Sequence, residues 1–169
     1  MKTCVFAGSF DPFTVGHLDI VKRAARLFDK AYVTVLYNPG KDRAMFSVEE
    51  RVKLIQDAVS DIENVAVSQF SGLLVDYCRS IGASCIVRGI RSGSDVEYEH
   101  MLEAVNKKLD DSIETLYMLS KPEYAHMSSS LVRQLIELNI GIEDMVPNAM
   151  HDIIQERTQN DGRTAQRKG

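Results

Sequence analysis

The chain has 169 residues, 44% of them apolar, which suits one domain with a buried core rather than two. A net charge of −4 and a pI of about 5.6 leave no broad basic field of the kind non-specific nucleic-acid binding needs, so nucleic acid is not an expected partner and any anion site must be local. Cys4, Cys78 and Cys85 lie in apolar segments without metal or redox spacing and read as buried thiols. The N-terminus lacks a signal-peptide pattern, and no run reaches the ~20 apolar residues that span a bilayer, so the expected location is cytoplasmic with no membrane partner.

Thr3 to Ala7 is a short apolar strand, followed from His17 to Phe28 by a helical pattern in which Leu18, Val21, Ala25 and Phe28 recur on one face. Tyr32 to Tyr37 reads as the second strand. Ser47-Val-Glu-Glu50 is a capping box, and it opens a helix with Val48, Val52, Ile55 and Val59 on its apolar face. Asn64 to Ser68 is a third strand, and the helix bearing Leu74, Tyr77, Cys78 and Ile81 stops at Gly82, a residue suited to a C-terminal cap. Ser84 to Arg88 is the fourth strand. A long helix around Tyr98, Leu102, Val105 and Leu109 precedes the fifth strand at Thr115 to Leu119, and a further helix carries Leu131, Leu135 and Leu138. Residues 1–157 therefore form one α/β unit, and 158–169, polar and basic without apolar period, reads as a frayed tail.

Strands alternating with helices predict a doubly wound, mainly parallel five-stranded sheet covered on both faces. Ligands in such sheets bind beyond the carboxyl ends of the strands. That rule selects three loops: Gly8 to Gly16, Gly89 to Ser94 and Ser120 to Ser130.

The first loop, Gly8-Ser-Phe-Asp-Pro-Phe-Thr-Val-Gly-His17, lacks the second and third glycines of a dinucleotide fingerprint, which counts against hydride transfer. Gly8 permits a sharp turn, Ser9 offers a hydroxyl, and Gly16-His17 sets an imidazole at a helix start, an arrangement suited to phosphate. A lone histidine there is ordinarily a surface or cap residue. Arg88 and Arg91, flanking Gly89 and Ile90, can clamp phosphate oxygens or lie solvated. Ser128, Ser129 and Ser130 precede a helix, where ordinary capping accounts for at least one hydroxyl.

The string G-S-F-D-P-x-T-x-G-H resembles the N-terminal signature of the nucleotidyltransferase superfamily, and thus implies a Rossmann-like nucleotidyltransferase fold. Four further blocks, Met45 to Arg51, Arg88 to Arg91, Asp95 to Glu99 and Met127 to Arg133, resemble the phosphopantetheine adenylyltransferase family in particular. The resemblance runs from about Thr3 to about Ile154, departing at Ala7, Val15 and Met127 without losing a polar group.

The resemblance implies ATP and 4′-phosphopantetheine as substrates and dephospho-coenzyme A and pyrophosphate as products, with Mg²⁺ held mainly by ATP phosphates and no protein metal ligands. By the same likeness His17 stabilises the transition state, with Lys41 and Arg91 beside it. Ser9, Phe10, His17, Gly89, Ile90, Arg91, Glu99 and the stretch Tyr124, Ala125, His126, Met127, Ser128, Ser129 and Ser130 would contact ATP, while Ser9, Lys41, Leu74 and Arg88 would contact the acceptor. For Leu74 a plain core role is an equal reading, and a loop lysine such as Lys41 is by itself ordinarily solvated. The likeness also implies a homohexamer and feedback inhibition by coenzyme A. Two other readings remain: an adenylyltransferase for another phosphate acceptor such as nicotinate mononucleotide, and a catalytically silent nucleotide-sensing module.

Overall fold

A computed structural model of the chain describes residues 1–37 and 44–156; Lys41 and the tail 158–169 lie outside the described residues. Five strands, β1 (Thr3–Gly8), β2 (Lys30–Leu36), β3 (Val65–Phe70), β4 (Cys85–Ile90) and β5 (Glu114–Leu119), form one parallel sheet in the order β3-β2-β1-β4-β5. Between and after them run α1 (Val15–Leu27), α2 (Val48–Ala58), α3 (Leu74–Ile81), α4 (Gly93–Leu109) and α5 (Ser129–Glu137). Short 3-10 turns lie at Pro122–Tyr124 and Asn148–Met150, and residues 151–156 are helical. This is the doubly wound α/β architecture that the alternating pattern predicts.

The strand period sends alternate β1 side chains to opposite faces. Cys4 and Phe6 pack with Ile20, Val21 and Ala24 of α1, Leu54 and Ile55 of α2 and Val132 of α5. Val5 and Ala7 pack on the other face with Val75, Tyr77 and Cys78 of α3. Phe13 and Phe46, each 1% exposed, lie in the first cluster, where a fully buried side chain of this size contributes on the order of 2–3 kcal/mol. All three cysteines are buried and unbridged.

Caps set the helix starts. Thr14, Ser47, Ser92 and Ser128 each accept a backbone N–H from the first turn of α1, α2, α4 and α5, and Gly82 ends α3 in the left-handed conformation at φ 68°. The chain builds β1, β2 and β3 outward, then returns to lay β4 against the other edge of β1. At that reversal the loops leaving β1 and β4 part, and a crevice opens at the strands' carboxyl ends.

Two expectations shift. Gly89 and Ile90, placed in a loop by the sequence pattern, belong to β4: they pair with Met118 and Leu119, and the Ser120 N–H donates to the Ile90 carbonyl at 2.8 Å. The ladder to β5 thus carries the strand two residues past Arg88. The second shift concerns α4, whose apolar period does not face this chain's core. Of that period Tyr98, Val105 and Leu109 are exposed and Leu102 is half-buried; Met101 is exposed as well, and the one buried residue of the helix is Glu99.

Candidate active site

The crevice between β1 and β4 is a cleft of about 330 Å³ lined by Gly8, Ser9, His17, Arg88, Arg91 and Ser129 among others. Its floor is the loop after β1. A Cβ on Gly8 would lie 3.0 Å from the Phe10 ring, closer than the ring tolerates without shifting, so glycine lets the loop fold back on the strand end unstrained. Phe10 itself takes φ 49°, a conformation non-glycine residues rarely hold, and its buried ring meets Phe6, Phe13 and His17. The strained residue lies at the cleft wall, where such conformations tend to concentrate.

His17 is the third residue of α1, and its ring closes a capping box with Thr14. The Thr14 N–H donates to Nδ1 at 3.0 Å, while the His17 N–H donates to the Thr14 hydroxyl at 3.3 Å. Because a backbone N–H can only donate, Nδ1 must be unprotonated, and the neutral ring carries its proton on Nε2. Burial among the phenylalanine rings, with the Arg91 and Arg88 charges adding to it, lowers the imidazole from its ordinary 6.5 to about 4. His17 at neutral pH is therefore a neutral hydrogen-bond donor.

The first turn of α1 leaves one donor over. Thr14 N–H serves His17, Val15 N–H serves the Met145 carbonyl at 2.9 Å and His17 N–H serves Thr14, so among the described residues the Gly16 N–H has no protein partner. The first turn of α5 is similar. Ser128 caps Leu131 N–H at 3.0 Å, and among the described residues the N–H groups of Ser129 and Ser130 have no protein partner. Unsatisfied helix-start donors of this kind favour anions.

Of the serine hydroxyls expected to contact a ligand, only that of Ser129 spends its proton on another of the described residues. Ser128 Oγ is the α5 cap, Ser129 Oγ donates to the Pro12 carbonyl at 2.8 Å, and Ser130 Oγ accepts from Arg133 at 3.3 Å. Arg133 also donates to the Asp11 carbonyl. The Ser129 and Arg133 bonds hold α5 against the first loop, while the hydroxyl protons of Ser128 and Ser130 remain available to a ligand in the cleft.

Arg88 and Glu99 form a two-pronged ion pair across β4 and α4, with Nε to Oε2 at 2.6 Å and Nη2 to Oε1, while Nη1 donates to the Ala7 carbonyl at 2.7 Å. Arg91 is held by Asp95 through its N–H at 3.0 Å and its Nε at 3.1 Å, and its Nη1 reaches the Met127 carbonyl at 3.3 Å. Partial burial pushes the Asp95 carboxyl up, but the bonds and charge from Arg91 more than reverse this and hold it below the usual carboxylate range. Both guanidiniums are thereby fixed in direction while lining the cleft.

Of the residues expected from sequence, Ser9, Phe10, His17, Arg88, Gly89, Arg91, Glu99, Tyr124, Met127, Ser128, Ser129 and Ser130 converge on this cleft. Ile90 does not line it: its side chain is buried in the sheet. Ala125 and His126 are exposed and do not line it, and Leu74 packs half-buried against the Val5 and Val75 cluster on the other face of the sheet. Four residues that sequence reasoning passed over now stand out. Thr14 sets the His17 tautomer, Arg133 ties α5 to the first loop, Asp11 accepts the Met45 and Phe46 N–H groups at 2.8 and 2.9 Å, and Arg51 donates to the Ser9 carbonyl at 2.8 Å. Each lay inside a motif block, but its partner is distant in sequence or reached through backbone atoms.

Residues 5–135 match the Cytidylyltransferase-like family, the class that this fold and crevice define. Curated phosphopantetheine adenylyltransferases are nearer. That of Caldanaerobacter subterraneus is 46% identical over 157 residues, covering 93% of this chain and 95% of the relative. That of Clostridium novyi is 48% identical, covering 92% and 97%, and that of Staphylococcus carnosus 46% identical, covering 90% and 94%. The chain accordingly belongs to the phosphopantetheine adenylyltransferase family.

Among solved structures, a Vibrio parahaemolyticus protein described as a nicotinate-nucleotide adenylyltransferase superposes with a TM-score of 0.66 at 17% identity, covering 92% of this chain and 99% of that one. A bifunctional NMN adenylyltransferase/ADP ribose pyrophosphatase of Francisella tularensis superposes at 0.70 and 16% identity, covering 94% of this chain and 51% of that one. At these identities the likeness is one of fold.

Proposed function

We propose that this chain transfers the adenylyl group of ATP to 4′-phosphopantetheine, giving dephospho-coenzyme A and pyrophosphate. The observation that carries the chemistry is the neutral His17 with its proton on Nε2, set in a cleft lined by two anchored arginines and two helix starts. The acceptor follows the three curated relatives, each nearly half identical over almost the whole chain.

The attacking group is a phosphate monoester, largely dianionic at neutral pH because its second pKa is about 6, so no general base is needed. The barrier lies in bringing two anions together and in the charge that builds on the α-phosphoryl and pyrophosphate oxygens. Fixed donors answer both. The His17 Nε2–H would donate to an α-phosphoryl oxygen as negative charge grows there. The N–H groups of Gly16, Ser129 and Ser130 and the Arg91 guanidinium would hold the triphosphate, and Arg88, Ser9 and Lys41 the acceptor phosphate. In the bond-forming step the acceptor oxygen bonds to the α-phosphorus, and the α–β bridging oxygen leaves on pyrophosphate with its electron pair.

Mg²⁺ is expected with ATP and would neutralise phosphate charge. Among the described residues no three His, Cys, Asp or Glu side chains cluster, and the Glu99 carboxylate is taken by Arg88, a donor set that fits an ion held by the phosphates themselves. A homohexamer is supported by the exposed apolar residues Tyr98, Met101 and Val105 of α4 and Leu119 of β5, which a second copy could cover. Coenzyme A shares both the adenylyl and pantetheine parts of the product, which supports its role as a feedback ligand of the same cleft. No helix among the described residues is long and apolar enough to cross a membrane, and a cytoplasmic location is consistent with that.

Pyrophosphate release with ATP and Mg²⁺, compared across 4′-phosphopantetheine, nicotinate mononucleotide and glycerol-3-phosphate, tests this reading. Release with phosphopantetheine alone is expected. Release only with another acceptor would move the substrate, and ATP binding without release from any acceptor would favour a silent nucleotide sensor.

A further inference from the structure

Arg51 lies on α2, outside the cleft lining, and only 3% of it is exposed. A buried guanidinium ordinarily finds a carboxylate, because an uncompensated charge away from water is costly. Arg51 forms no ion pair among the described residues. Its recorded side-chain partners are two backbone carbonyls, Ser9 at 2.8 Å from Nη1 and Ser47 at 3.4 Å from Nε.

The first of those carbonyls belongs to the cleft loop. Ser9 lines the cleft between Gly8, where the loop packs closely on the Phe10 ring, and Phe10, whose φ is positive, a conformation that persists only where its surroundings hold it. Arg51, outside the cleft lining, is one such support: it binds the Ser9 carbonyl, so that this oxygen is engaged by the protein rather than left to face an anion. The anchoring is mutual, since Asp11 of the same loop accepts the N–H groups of Met45 and Phe46, just before the Ser47 cap of α2.

We propose that Arg51 is a positioning residue for polyphosphate binding: it fixes the Ser9 peptide from behind the loop, and the charge that compensates its buried guanidinium is the anion bound in front. The inference rests on the cleft's being the nucleotide site, but not on turnover. It therefore predicts an effect selective for the charged part of the nucleotide, whereas a purely structural arginine would affect every ligand alike.

The test compares ATP, by calorimetry, with adenosine, by NMR titration at millimolar concentration, on the full chain and on Arg51→Met and Arg51→Lys. Loss of a charge-assisted bond and its field is expected to weaken ATP by about tenfold in Arg51→Met while adenosine stays within about twofold. Lysine keeps the charge and one donor, so Arg51→Lys should fall between the two. ATP affinity within about twofold of the unmodified chain, equal weakening of ATP and adenosine, or a lysine variant no better than methionine would overturn the proposal. Should Arg51→Met not fold, Arg51→Lys against the unmodified chain carries the contrast: selective weakening of ATP by about threefold or more supports it, and no selective weakening overturns it. Wild-type pyrophosphate release separately reports on the transfer reaction, so failure of either idea is distinguishable.

Discussion

Thr14 and His17 cap one helix reciprocally, and in doing so they decide the protonation of the residue that faces the cleft. The Thr14 N–H occupies Nδ1 at 3.0 Å, so the only proton on the neutral ring is on Nε2. A glutamate or glutamine in the same capping role would satisfy the backbone equally well. Histidine adds a directed donor on the other side of the ring.

Replacing His17 by alanine should lower kcat by about a hundredfold or more with little change in KM for ATP, because the donated bond strengthens only as charge develops. Steady-state pyrophosphate release measures both constants. A large KM defect with normal kcat would instead make His17 a binding residue.

The imidazole should stay neutral down to about pH 4, which site-specific NMR titration of the ring can follow. The sign for stability follows from linkage. Between pH 4 and the ordinary 6.5 the unfolded chain takes up a proton that the folded ring refuses, so this contribution is fully present above 6.5 and is lost as pH falls towards 4. In His17→Asn that part of the acid-side slope in thermal midpoint should disappear.

Arg88→Met should destabilise the fold by about 2 kcal/mol, since it strands the Glu99 carboxylate in a nearly buried position. The double variant Arg88→Met/Glu99→Leu should recover stability but not acceptor binding. Urea unfolding reads the first effect and KM for 4′-phosphopantetheine the second.

Ser128→Ala should cost about 1 kcal/mol through loss of the α5 cap. Ser129→Ala leaves that cap and the Arg133–Asp11 bond intact but loosens the first loop against α5, so its effect should fall more on ATP affinity than on stability. Parallel unfolding and ATP titrations separate the two.

If the exposed row on α4 and β5 is an assembly face, Met101→Glu together with Leu119→Glu should shift the chain to a smaller species in sedimentation velocity while leaving its circular dichroism intact. Unchanged sedimentation would remove that face from the assembly.

Periodicity and punctuation determined most of the fold. Alternating short strands and capped helical patterns fix a parallel α/β sheet because local propensity and apolar spacing agree at nearly every element, and the Ser47 box and the Gly82 stop fell where the pattern put them. The motif blocks likewise exposed His17, Arg88, Arg91 and the serine run as candidates, because those residue types are conspicuous at strand and helix ends.

What tertiary structure alone decided is which atoms meet. That Gly89 and Ile90 extend β4 depends on hydrogen bonds to a strand formed more than twenty residues later. That the apolar period of α4 faces outward depends on which face the sheet left uncovered. Arg88 clasps Glu99, Arg51 holds the Ser9 carbonyl and Ser129 donates to Pro12 through contacts whose partners are distant in the chain, and two of these three use backbone oxygens that every residue possesses. A sequence records side chains, so it can name the groups able to do chemistry; only the folded backbone determines which carbonyl or N–H each will find.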